Sequence, residues 1–229
     1  TETENDRYQL KLTGTAAPGH QVQGSYVDST TKDANRASLS PAASLEPGVF
    51  INRQTPQSLF VTSYNGVIGN RAFVTAQYSR RQYGQRNNGG TSTDVFDSPF
   101  RSRGQFSPGG LHYHAPMLSA HDPQDRNNRQ FAGSASYFLT TRNAGSHDLK
   151  VGGEHFTSTL IGGNSQSATG YVFFSDYLVA DASGAPMLDA EGRVIPRFVP
   201  GFSQVQHWMA TPGSRIDIKT VSIYAQDHW

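Results

Sequence analysis

The chain has 229 residues and a formal net charge of +1, from 19 Lys+Arg against 18 Asp+Glu, so no global field draws nucleic acid to it. Cysteine is absent, which removes disulfides, thiolate metal sites and cysteine nucleophiles together. No run of about 18 apolar residues exists, which excludes a transmembrane helix and leaves open membrane strands, since these need only roughly 9–11 alternating residues.

Charged residues make up only 16% of the chain, against roughly 25% in average soluble domains, while aromatics reach 11%. A chain poor in charge but rich in Gly, Ser, Thr, Asn, Gln and Tyr suits antiparallel β-structure wetted on one face. The first segment agrees. Residues 7–15 alternate, with Tyr8, Leu10 and Leu12 on one face and Gln9, Lys11 and Thr13 on the other, the period-two signature of a half-buried strand. Ala17-Pro18-Gly19 turns the chain, and residues 20–28 resume with Val22, Gly24 and Tyr26 opposite Gln21, Gln23 and Ser25. This predicts a hairpin. Residues 29–56 are rich in Ser, Ala and Pro without sustained period and read as a long loop.

The pattern repeats over residues 57–83, where two aromatic, β-branched runs flank the turn-like Gly69-Asn70. Residues 84–128 carry 6 Gly and 4 Pro without strand periodicity; a connection of that length is usually functional or disordered, and we expect it to be exposed outside the cell and to touch ligand. Residues 130–141 then place Phe131, Ala135, Tyr137 and Leu139 on one face, residues 142–146 turn, and Leu149, Val151 and Gly153 alternate with Asp148, Lys150 and Glu154. Residues 162–214 are less regular, with one aromatic β-like stretch at 171–179 and a turn at 189–192. A last strand over 215–229 sets Val221, Ile223 and Ala225 opposite Thr220, Ser222 and Tyr224.

Connections therefore alternate short and long throughout. In transmembrane barrels short periplasmic turns alternate with longer extracellular loops, and strands alternate apolar-out with polar-in. A β-sandwich also alternates, but its turns recur every 8–12 residues or so. The expected fold is all-β, a segment of about seven strands of an antiparallel transmembrane barrel. Leu10, Leu12, Val74, Ala76, Ala135, Tyr137 and Val151 are expected on its lipid face, with Lys11, Gln77, Ser134, Ser136 and Lys150 on its lumen face.

Several stretches carry a likeness to a known family: Thr3-Glu4-Asn5-Asp6-Arg7-Tyr8, Tyr64-Asn65-Gly66, Phe73-Val74-Thr75-Ala76-Gln77-Tyr78-Ser79, Gly145-Ser146-His147-Asp148-Leu149-Lys150-Val151-Gly152 and Ser222-Ile223-Tyr224-Ala225-Gln226-Asp227-His228-Trp229. In their order and spacing the chain resembles the barrel region of TonB-dependent outer-membrane receptors, in particular the Oar-like subgroup. The resemblance implies a bacterial outer-membrane location, lipid around the wall, a bulky solute taken up actively, and energy delivered by the TonB complex through a plug. No plug, TonB box, signal peptide or barrel-closing strand is recognised. The expectation is a partial barrel domain over residues 1–229 that would neither transport alone nor behave as a monodisperse monomer. A soluble β-sandwich carbohydrate-binding module is the alternative.

Candidate sites are sparse. His112 and His114 have the i, i+2 spacing that sets two imidazoles on one strand face, with His121 and Asp122 following, yet no third ligand sits at a defined spacing and no metal site is assigned. Asp122, Asp125, Asn127 and Asn128 lack the spacing of a calcium loop. Glu154-His155 and Asp227-His228 are strand neighbours pointing to opposite faces. There is no Gly-x-Ser-x-Gly elbow and no phosphate loop, so neither an enzyme nor a cofactor is expected. Arg80, Arg81 and Arg86 invite an anion but also suit a solvated strand end. Arg86, His112, Tyr113, His114 and His121 are the expected ligand-contact residues of the long second connection.

Overall fold

The computed structural model describes residues 1–37, 44–104, 107–175 and 177–229, with the side chains of 44, 102–104, 107–113 and 177 left aside. In chain order the strands are β1 (Glu2–Ala17), β2 (His20–Ala37), β3 (Ser44–Leu45), β4 (Phe50–Ile68), β5 (Ala72–Gln85), β6 (Phe100–Gly104), β7 (Ser107–Tyr113), β8 (Gln124–Thr141), β9 (Gly145–Gly162), β10 (Tyr171–Ser175), β11 (Tyr177–Leu178), β12 (Pro196–Arg197), β13 (Gln204–His207) and β14 (Ser214–His228). The all-β expectation holds.

Seven long strands form one sheet in the order β1-β2-β4-β5-β8-β9-β14, antiparallel at every pairing. They run 14 to 19 residues, roughly 45–60 Å each at about 3.3 Å per residue. The tight turns fall where the sequence places them. Gly19 (φ 76°), Gly69 (φ 59°) and Gly145 (φ 82°) occupy left-handed backbone that a Cβ disfavours. All three lie at one end of the sheet, so the three long connections gather at the other.

Register follows the alternation. Val74, Ala135 and Val151 pair across three strands, and Thr75, Ser134 and Gly152 occupy the adjacent row on the opposite face. The residues grouped above by alternation do share faces, Leu10 with Tyr26 and Phe60 on one and Lys11 with Ser25 and Val61 on the other. The first of these faces is apolar and open, with Leu10 57%, Leu12 65% and Ile223 87% exposed.

The long connections are not loops. Strands from all three interlace into a second sheet ordered β13-β10-β6-β7-β3, in which β10–β6 and β3–β7 are parallel and the other pairs antiparallel; a small pair, β11–β12, lies beside it. We call this unit the cap. Its connections are laced together: Phe173 N–H donates to Pro99 O at 2.9 Å, Leu118 N–H to Gln166 O at 3.0 Å, and Val194 N–H to the Glu46 carboxylate at 3.2 Å. Val49, Met117 and Val172 form its buried centre, with Leu45, Leu118 and Phe174 against them. Phe100, 1% exposed, is the largest fully buried side chain among the described residues.

This architecture corrects the reading of the chain as the wall of a transporter barrel with ligand-contact loops. The seven-stranded sheet stays open, with β1 and β14 as its edges, and among the described residues no pairing closes it. The second sheet is mixed, whereas transmembrane barrels are antiparallel throughout. The expected structureless connection over residues 84–128 fails for a physical reason. Phe100, Ala115 and Met117 are buried there, and a segment able to bury apolar groups orders itself once a neighbour supplies the other half of the core. A two-sheet module, the alternative reading, describes the molecule better.

Candidate functional site

The cap meets the start of β4 at a cleft of about 610 Å³, within the range of small-molecule sites. One wall is the start of β4, with Phe50, Ile51 and Asn52; the other is the chain after β5, with Asn87, Gly89, Gly90, Thr91, Ser92 and Asp97; Arg193 also lines it. Three separate connections build it.

Close backbone approach shapes these walls. A Cβ at Gly48 would stand 2.6 Å from the carbonyl oxygen of His114, and one at Gly89 would stand 2.5 Å from that of Leu118, distances no side chain tolerates. Gly90 N–H donates to Leu118 O at 3.0 Å and Ala120 N–H to Gly90 O at 2.8 Å, pinning the two segments. Asn87 takes φ 56°, the left-handed region that Asn tolerates best among residues with a side chain. Asp94 caps the short helical turn 95–97 by accepting from Phe96 N–H at 3.0 Å, and this turn delivers Asp97.

The polar groups are organised by Asp97. It accepts from Ser92 Oγ at 2.6 Å and from Arg193 Nη1 at 3.3 Å. Arg193 is also held by Asp189 at 2.9 Å, which keeps the guanidinium pKa above its ordinary value, and the Arg193 backbone N–H and guanidinium in turn hold the Asp189 carboxyl below the usual carboxylate range. The lining thus contains one carboxylate and one guanidinium, and that guanidinium is shared with Asp189 and with Glu191 at 3.6 Å, so three carboxylates surround one cation. The rest is amide, hydroxyl, imidazole and apolar surface.

The expected contact residues separate in space. His114 lines the cleft, its ring tilted 46° against Phe100 and its Nδ1 accepting from Phe100 N–H at 3.2 Å. Arg86 instead ends the long sheet, paired with Asp125 at 2.7 Å over Gly84, whose missing Cβ leaves room for that pair. His121 is exposed, with its backbone N–H on Ser119 Oγ at 3.2 Å. The backbone of His112 and Tyr113 pairs with β3, and their side chains lie outside the described residues. Asp122 accepts from the Ser165 hydroxyl and backbone N–H. Among the described residues no group of three His, Asp or Glu side chains could hold a metal.

Sequence reasoning missed Asn52, Asn87, Asp97 and Arg193. Asp97 and Arg193 lie 96 residues apart, and nothing local joins them. The one available signal was the turn at 189–192, which presents the next residue, Arg193, to Asp189.

No family model matches the chain, and no curated protein matches it. Among solved structures, the outer-membrane transporter YddB from Escherichia coli aligns with 98% of this chain at 11% identity and a TM-score of 0.41. The chain spans 32% of that protein's length, and the likeness does not single out the Oar-like subgroup.

Proposed function

We propose that this chain is a binding module, without catalytic chemistry, for a neutral polyhydroxylated ligand, an oligosaccharide, taken in the cleft between the start of β4 and the cap. The observation that carries this reading is the cleft's lining: amides and hydroxyls around a carboxylate–guanidinium pair, beside a half-exposed aromatic ring. A sugar presents many hydroxyls, each both donor and acceptor. Asn87 offers both functions, Asn52 donates while its Oδ1 already accepts from Asn35 N–H at 3.1 Å, and Asp97 accepts, held in place by Arg193. Phe50, 42% exposed, supplies an apolar platform for the C–H face of a pyranose. Because three carboxylates surround the one guanidinium, anionic ligands are disfavoured, and the amides and hydroxyls suit a neutral one. His114 belongs to this contact set, and Arg86 supports it from below by fixing the chain that leads to Asn87.

Calorimetric titration with a panel of neutral oligosaccharides tests the proposal. Saturable binding is expected, weakened at least about tenfold, or about 1.4 kcal/mol, by Phe50→Ala and by Asn87→Gly. The glycine keeps the left-handed backbone while deleting the amide. Absence of saturable binding to every neutral sugar, or binding that both variants leave intact, would sink the reading.

A further inference from the structure

The sheet carries a second concavity, of about 590 Å³, on its apolar face toward the cap end. Its chemistry is opposite to that of the cleft. Arg80 on β5 pairs directly with Arg129 on β8; Arg129 pairs with Thr157 on β9, and Thr157 with Lys219 on β14. Cross-strand partners share a face, so the four side chains stand in one row. Adjacent strands are about 4.8 Å apart, which places Lys219 within roughly 10 Å of Arg129, inside the combined reach of the two side chains.

Like charges directly opposite on a sheet repel, and among the described residues nothing offsets this pair. Among the described residues neither the Arg80 nor the Arg129 guanidinium makes a hydrogen bond or an ion pair. The carboxylates nearest on this face are engaged elsewhere: Asp28 accepts from Tyr26 Oη at 3.1 Å, and Asp125 is bound by Arg86. Asp217, at the rim, is gripped by Arg215 through Nε at 2.7 Å and Nη2 at 3.0 Å and by Thr159 at 2.6 Å. Counting Arg80, Arg129, Lys219 and Arg215 on this face against Asp217 leaves a surplus of three positive charges, and Arg81, which also borders the concavity, brings it to four. The next row along the strands, Tyr78, Phe131 and His155, floors the groove with rings.

We propose that Arg80, Arg129 and Lys219 form an anion site for a phosphomonoester, its phosphoryl oxygens bridging the two guanidiniums and the ammonium while the organic remainder lies on the rings of Tyr78 and Phe131. A phosphate offers three acceptor oxygens to three converging donors, where a carboxylate offers two, and guanidinium forks match it bidentately. The site shares no residue with the sugar cleft, so each stands or falls alone. The adjacent Arg81, which the sequence groups with Arg80, belongs to the other face, where its guanidinium lies 5.5 Å from the Tyr83 ring.

The test compares the full chain with Arg80→Gln, Arg129→Gln and Arg81→Gln in two arms. One titrates phenyl phosphate in solution; the other measures co-sedimentation with phosphatidylcholine vesicles with and without phosphatidic acid. Binding in either arm that falls at least about fivefold in Arg80→Gln and Arg129→Gln but not in Arg81→Gln supports the site, and the arm that responds tells a soluble phosphate ester from a lipid headgroup. The log–log salt dependence should lose about one unit of slope per cation removed. In the ligand-free protein Arg129→Gln should raise Tm, because it relieves the repulsion; a purely structural arginine would lower it. No binding in either arm, or equal loss in Arg81→Gln, overturns the proposal.

Discussion

The long sheet and the cap are made from one chain by two different strategies. The sheet orders more than half of the residues through continuous backbone ladders while leaving both faces largely open. The cap uses strands of 2 to 7 residues and closes over an apolar centre. Of the buried apolar side chains among the described residues, Val49, Phe100, Ala115, Met117, Val172 and Leu178 belong to the cap and its connections, and Ile51 alone lies in a long strand. The accessible surface shows the imbalance: 14391 Å² for a chain of 24.9 kDa, against about 10,000 Å² for a compact monomer of that mass. Register and burial are separable. A sheet can be fully specified in pairing by its turns and alternation without owning a core, whereas a set of short strands needs burial to exist at all.

The comparison is broken most directly at Phe100. Phe100→Ala should cost about 3–5 kcal/mol in urea denaturation, because a 1% exposed ring leaves a cavity, while Ile223→Ala, at an 87% exposed position of β14, should stay within about 0.5 kcal/mol. Equal effects would mean that the sheet, too, is held by packing.

Glycine substitution sharpens the contrast. Gly48→Ala and Gly89→Ala drive a Cβ into backbone carbonyls and should each cost about 1–3 kcal/mol. At Gly14 in β1 nothing stands within 4 Å, so Gly14→Ala should leave the thermal midpoint unchanged or raise it slightly. A neutral outcome at Gly48 would show that the cleft wall yields.

Acid should reach the sheet through two carboxyls. Burial raises the pKa of Asp33, but hydrogen bonds from Thr3, Arg36 and Arg53 outweigh it and hold the carboxyl below its ordinary range. Asp217 is lowered to about 2, chiefly by Arg215 and then by Thr159. Depressed values stabilise the folded state above the unfolded pKa of about 3.9, and this contribution is lost as pH falls toward the folded values. The urea midpoint should therefore be flat from neutral pH to about pH 5 and decline below it. Asp33→Asn should make the decline shallower. Asp217→Asn, at a solvent-exposed edge, should have the smallest effect of the set. A decline that neither variant alters would assign acid sensitivity to other groups.

Much of the sheet was legible because its information is local. Gly19, Gly69 and Gly145 mark the tight turns, and the alternation of Leu10 and Leu12 with Lys11 sorts the faces two residues at a time. The cap was illegible for the converse reason. β6 pairs in parallel with β10, some seventy residues on, and neither strand is long enough to display a period. The same holds for the sites. Arg80 faces Arg129 and Asp97 meets Arg193 only after the register is known, and His147 finds Asp227 at 2.8 Å across 80 residues. The sequence instead grouped Arg80 with Arg81, which the strand pleat sends to the opposite face.

Seven is an odd number, and that parity gives the molecule a direction. β1 and β14 both run from the cap end toward the tight turns, so joining one to the other with caps aligned would demand a parallel pair in an otherwise antiparallel sheet. An antiparallel strand added at either border must travel upward toward the cap. Supplied by the matching edge of a second copy, it would bring that copy in about a two-fold axis, with its cap at the far end.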